Sequence, residues 1–363
     1  MSINSVAYSN QGINSYSSAN SASFGDNSQD MTQPRSSGGG GKLLLGTSLV
    51  GLAALGVYLV KKHTFKPIDF KPAKNVNEAK SFATNKLGVK MQKEDIPLDV
   101  ANFINKGLCY LRNQTRNKFK MKFVTYSKME SEGIKDFNTM ASVVENSELG
   151  CCGLAFNKSF FEKIDKHIKR ELEIVRGYRG SNPVDLLKIE NGNFVLSEQC
   201  PHFDISNEVL ALANKFSHSR NKMTLEEKFS LYDGLTNMKD ALNGLAERGE
   251  LGTVPAEALK IKRNPFHSLF ALNGGLEFRE KVGMEKINQM LPIENTNGLS
   301  ADTNAFVDFM TNDVAIARKV SEKAAKSPYH FVTETYARML NGEKFDKEIM
   351  DVYSKFEGPA VNV

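Results

Sequence analysis

His330 and Glu334 are four residues apart in Ser-Pro-Tyr-His-Phe-Val-Thr-Glu-Thr-Tyr-Ala. A helix sets both on one face, an imidazole one turn before a carboxylate. That pair could help hold a metal ion, and it equally suits a polar stripe or a glutamate bonding a neighbouring loop. His267 is the other histidine of the C-terminal third. No Ser/His/Asp or Cys/His nucleophile set has a local signature. Cys151, Cys152, Cys200 and His202 could be imagined around zinc, but the adjacent cysteines lack the usual two-residue spacer. Buried or incidental thiols are the simpler account. Gly38 to Gly41 followed by Lys42 superficially suggests a phosphate loop. The required earlier Gly is Ser36 and the required Ser or Thr is Leu43, so that reading fails.

These residues need elements to position them. Asn264 to Glu277 reads as a short buried helix. Asn264 serves as N-cap and Pro265 as first helical residue, and Gly274-Gly275 ends or kinks it. Pro328 to Asn341 is a helix started by its proline and followed by Gly342. Ser300 to Ala325 is helical with a break near Asn312-Asp313, and a last helix spans Phe345 to Phe356. Upstream, Asn75 and Glu78 form a capping box and Gly88 closes that helix. Pro97 to Gln114 is amphipathic. Lys118 to Tyr126 alternates as a half-buried strand does, and Glu130 to Asn146 reads as loop and helix. Cys151 to Asn157 is a short strand, then a helix begins at Lys158 with His167 off its apolar face and solvated. Leu186 to Leu196 is a hairpin turning at Asn191-Gly192. Ser206 to Phe216 and Thr224 to Ala246 are helices, the second with a Thr224/Glu227 capping box. The plan is a mixed α/β lobe over 75–260 and a helical lobe over 264–363. The fold class is α+β, mostly helical.

The N-terminal region differs in composition. Residues 1–41 are rich in Ser, Asn and Gly and read as a disordered leader. Leu43 to Val60 is an uncharged, mostly apolar run of about 27 Å as a helix, enough to span a bilayer core. A buried core helix and a cleaved signal peptide are the alternatives. The basic flanks oppose the first and the long leader before the run the second. A single-pass transmembrane helix over 42–62, with a linker over 63–74, is the expectation. Thr47 and Gly51 would allow a weak homo-oligomer through that helix. Lys61, Lys62, Lys66, Lys71 and Lys74 outnumber Arg35 and Lys42, which puts the large domain in the cytoplasm. The formal charge of +5 is mild, and no dense basic patch is interleaved with aromatics, so nucleic acid is not an expected partner. Four cysteines make no disulfide framework.

Three segments carry a resemblance. Pro265 to Leu276, PFHSLFALNGGL, resembles the central helix of zincin-type metallopeptidases of the gluzincin kind. Phe331 to Ala337, FVTETYA, is similar to their later helix, and CCGLAFNKSFF to the strand above their cleft. The ending YSKFEGPAV is similar to that of a group of membrane-anchored bacterial proteins. In the family, His-Glu-x-x-His on the central helix supplies two zinc ligands and a base, and a Glu on the later helix supplies the third ligand. Laid on this sequence, the two histidine positions are Ala271 and Gly275, the base position is Leu272, and the relict third ligand is Glu334. Without the imidazoles no zinc is held, and no bound water is activated for a base to deprotonate.

The resemblance implies a zincin-like domain that is catalytically inactive, needs no cofactor and binds an unknown protein or peptide partner. Two alternatives stay open. One is a membrane-tethered helical structural domain unrelated to peptidases. The other is a metal-dependent hydrolase with a relocated zinc site of His267, His330 and Glu334.

Overall fold

The computed structural model describes residues 65–361, less 93–94, 117–119, 129–138, 147–150, 178, 180–182, 184, 199–203, 251–263 and 293–303. The leader, the expected transmembrane helix, Cys200 and His202 lie outside these residues. Among the described residues no helix is long and apolar enough to cross a membrane. Pro67 to Val363 form one unit, mostly helical with a small mixed sheet.

Local chemistry sets most elements. Helix α1, Val76–Phe82, starts where the Asn75 side chain accepts the Glu78 N–H at 2.9 Å. It continues as a wide turn to Gly88, left-handed at φ 70°. After strand β1, Lys90–Met91, helix α2 runs over Leu98–Thr115. Strands β2, Phe123–Ser127, β3, Ala141–Asn146, and β4, Cys151–Asn157, follow. The sheet order is β1-β2-β4-β3, parallel except for β3, which runs antiparallel to β4 at one edge.

Two expectations change here. All of β2 is buried, because it is paired on both sides and covered on both faces, so its half-buried alternation does not persist. Residues 141–146 form a strand rather than helix, since Ser142, Val143 and Val144 fall beside Ala155, Leu154 and Gly153 of β4.

Helices α3, Lys158–Glu162, and α4, Ile164–Arg176, bury Phe161, Ile164, Ile168, Leu172 and Val175. His167 is not solvated as expected. Its ring stacks on Phe160 at 4.8 Å, and burial pushes its pKa below the ordinary value. The hairpin β5, Leu187–Glu190, and β6, Asn193–Leu196, turns at Asn191 (φ 50°) and Gly192 (φ 78°). Helix α5, Asp204–Ser219, is followed by a 3₁₀ turn over Arg220–Lys222. Helix α6, Leu225–Glu247, starts at the full Thr224/Glu227 capping box. Lys239 of α6 and Glu171 of α4 pair at 2.6 Å, both buried.

Helix α7, His267–Val282, does not end at Gly274-Gly275; it runs two turns further, to Gly283 (φ 82°). The helix continues through both glycines, and tyrosine side chains of α11, Pro328–Leu340, occupy the space beside them. Between lie α8, Met284–Gln289, α9, Asn304–Asp308, a π-turn over Phe309–Asp313 where the break is expected, and α10, Val314–Val320. Helix α12, Lys347–Lys355, is the last helix among the described residues. There are two main apolar cores. Phe266, Leu269, Phe270 and Leu276 of the α7 segment join the first, with Tyr336, Ala337 and Leu340 of α11. Phe278, Tyr329, Phe331 and Val332 join the second. The α7–α11 pair therefore spans both.

Candidate functional site

Helices α7 and α11 pack antiparallel, and the sequence-predicted residues fall along their seam. Near one end His267 meets Glu334 and Asn341; further along, Gly275 faces Tyr329 and Thr333. A Cβ on Gly274 would lie 2.6 Å from Tyr336 Cδ1, and one on Gly275 would overlap Tyr329 Oη. The tyrosine side chains of α11 leave no room for a side chain at either place.

Glu334 is buried, and both of its oxygens are engaged. Oε1 accepts from Lys323 Nζ at 2.5 Å and Oε2 from His267 Nε2 at 2.9 Å. Burial alone would raise the Glu334 pKa; the Lys323 ammonium and His267 override it and hold the carboxyl well below its usual range. The His267 tautomer follows from its other neighbours. Asn264 donates to Asn341 Oδ1 at 2.8 Å, so Asn341 Nδ2 faces His267 Nδ1 at 3.4 Å and the ring proton sits on Nε2, toward Glu334.

Lys323 was not legible as a site residue. It lies in the turn after α10, eleven residues before Glu334. That turn is pinned by Ser321 Oγ, which accepts the Ala324 N–H at 2.9 Å, and by Glu322, which pairs with Arg248 beyond the end of α6 at 2.7 Å. Asp240 of α6 lies within electrostatic reach of Lys326, Lys239 and Lys323, and burial raises its carboxyl above the ordinary value.

His330 points to a different partner. Ser327 Oγ, the N-cap of α11, accepts the His330 backbone N–H at 3.2 Å and donates to Nδ1 at 2.8 Å. Burial, with Lys323 and Lys326 nearby, pushes the imidazole down to about 3, so the ring is neutral at ordinary pH. Ser268, Ala271, Leu272 and Thr333 line a cavity with Lys323, Tyr329 and His330, and its volume is about 20 Å³. That is room for one water and not for a peptide.

The strand that resembles the one above a peptidase cleft, β4, is hydrogen-bonded on both sides, so it offers no free edge. The edge strand beside β4 is β3, which packs against α7 with only about 20 Å³ left between Ser142, Val143, Gly275 and Tyr329.

A carboxylate held ionised by a lysine is a poor general acid or base at neutral pH. It is also a poor metal ligand while the ammonium occupies it. Among the described residues no group of three His, Cys, Asp or Glu side chains is placed to hold a metal ion. His267 and Glu334 touch, while His330 is bonded to Ser327. Along the flank of the same seam, Asn273 donates to Tyr336 Oη and to Glu277 Oε1, both at 3.1 Å. Tyr336 also donates to Glu277 at 3.1 Å, so this trio is a helix-to-helix lock. Comparisons with family models, curated proteins and solved structures returned no match.

Proposed function

We propose that this chain is a membrane-anchored, zincin-like protein without peptidase chemistry, acting as a binding or scaffold module. The observation that carries this reading is the Lys323–Glu334–His267 contact. The glutamate at the relict ligand position faces a lysine ammonium, and Ala271, Leu272 and Gly275 contribute no metal ligand. The positive charge that zinc would bring is supplied by a side chain of the protein itself. The small volume beside Ala271 and Leu272 supports a role in stability rather than turnover.

One observation favours a second reading, a metal-dependent hydrolase using His267, His330 and Glu334: His267 and Glu334 already touch at 2.9 Å. It requires Lys323 to leave Glu334 and His330 to leave Ser327.

Metal analysis of the purified full chain, with a peptidase assay, separates the two. The inactive reading expects no stoichiometric zinc, no hydrolysis and a melting temperature unchanged by chelator. Stoichiometric zinc whose loss abolishes hydrolysis, with both abolished by His267→Ala, would overturn it.

A further inference from the structure

A cleft of about 630 Å³ lies among α4, β6, the end of α5 and the 3₁₀ turn that follows. Its volume is in the range of small-molecule sites, roughly 300–1,000 Å³. Leu172, Phe194 and Phe216 give it apolar surface. Lys169, Arg176, Arg220 and Lys222 line it too, against a single carboxylate, Glu173. Lys169, Leu172, Glu173 and Arg176 share one face of α4 by their spacing. None of the four cations makes an ion pair with a described residue, whereas nearby Lys215 and Lys228 pair with Glu227 and Asp165.

Cations in the last turn of a helix are commonly there to complement its C-terminal carbonyls, and Arg176 ends α4. Arg220 and Lys222 likewise follow the end of α5, but that account does not reach Lys169, two turns before Arg176, nor does it explain why both helix ends bring their cations to one cleft. The walls are also tied together. The Asn214 side chain accepts the Phe194 N–H at 2.7 Å and donates to the Phe194 carbonyl at 3.0 Å, fixing β6 to α5. His218 Nδ1 donates to the Asn214 carbonyl at 2.8 Å.

We infer that this cleft binds an organic phosphate with an apolar or aromatic body. The two guanidinium groups offer paired donors that match phosphate oxygens, and the lysines add charge. Phe194, Phe216 and Leu172 take the apolar body, and Glu173 accepts from a hydroxyl or amino group on it. The phosphate could belong to a soluble metabolite or to a phospholipid headgroup.

The test uses the full chain in detergent with phenyl phosphate and inorganic phosphate as soluble probes, by calorimetry. A second arm uses the chain reconstituted in vesicles of phosphatidylcholine, alone or with phosphatidic acid. Hydrogen exchange over 169–176 and 216–222 is the common readout. Slowed exchange and saturable binding of phenyl phosphate, tighter than inorganic phosphate and weakened about tenfold or more in R176E/R220E, would identify a soluble ligand. Slowed exchange only with phosphatidic acid, lost in the same variant, would identify a headgroup. Exchange unchanged in both arms, or binding unaffected in the variant, overturns the inference. Because exchange is read on the unmodified protein, a variant that misfolds does not remove the test.

Discussion

Tyr329 of α11 sets its hydroxyl against the Cα of Gly275, in the space where any side chain on α7 would have to begin. The ring is buried, and burial pushes its pKa up to about 12. Gly275→Ala should therefore cost about 1–3 kcal/mol through overpacking, measured by chemical unfolding. The overlap is chiefly with the hydroxyl oxygen, so Tyr329→Phe should recover part of that loss. A double-mutant cycle showing no coupling between the two sites would disprove the contact.

Lys323 neutralises a buried carboxylate. Removing it with Lys323→Met should destabilise the fold by about 3–5 kcal/mol, because Glu334 is left without its ammonium partner. The companion change Glu334→Leu in the same chain should restore much of the loss. Equal stability of the wild type and Lys323→Met would mean that the ion pair is not formed.

Acid should weaken the fold in two stages. His330 has a folded pKa of about 3 against an ordinary 6.5, so the unfolded chain binds its proton first. Stability then falls with decreasing pH across that interval, by at most about 1.4 kcal/mol per pH unit. Glu334 is depressed below its ordinary 4.5, and its contribution, complete above that value, is lost as pH falls further. Asp240, raised above its ordinary value, works in the opposite sense at low pH. Unfolding measured between pH 7 and pH 5 should show a shallower slope for His330→Gln than for the wild type; identical slopes would refute the assignment.

If the proposed zincin placement holds, introducing the peptidase motif should fail in its simplest form. Ala271→His, Leu272→Glu and Gly275→His together still leave Lys323 on Glu334 and Tyr329 against position 275. Zinc uptake should appear only when Lys323→Ala and Tyr329→Ala are added, read by metal analysis of folded protein. If the five-fold variant folds and stays metal-free, the zincin placement loses its support.

His167 stacks on Phe160, and its Nε2 has no hydrogen-bond partner among the described residues. Replacing it by Phe should be neutral or stabilise by about 1 kcal/mol, since a desolvated nitrogen is removed and the stack is kept. A loss of more than that in thermal unfolding would show that the ring has a polar role.

Features decided within a few residues were legible in the chain itself. Thr224 with Glu227, Asn191 with Gly192 and Pro328 at the start of its helix each satisfy backbone groups or set dihedrals close by, so no distant partner is needed to predict them. The apolar faces of α2 and α4 were legible for the same reason, through their helical period. The packed fold alone decided what depends on distant partners. Gly274-Gly275 looks like a helix end, yet the helix runs through it, and the two tyrosines that fill the space beside it lie more than fifty residues away. The strand over residues 141–146 takes its conformation from β4. Glu334 looks like an available ligand. Its availability is a matter of where one lysine ammonium sits, and that is set by a turn anchored to Arg248, which spacing along the chain does not encode.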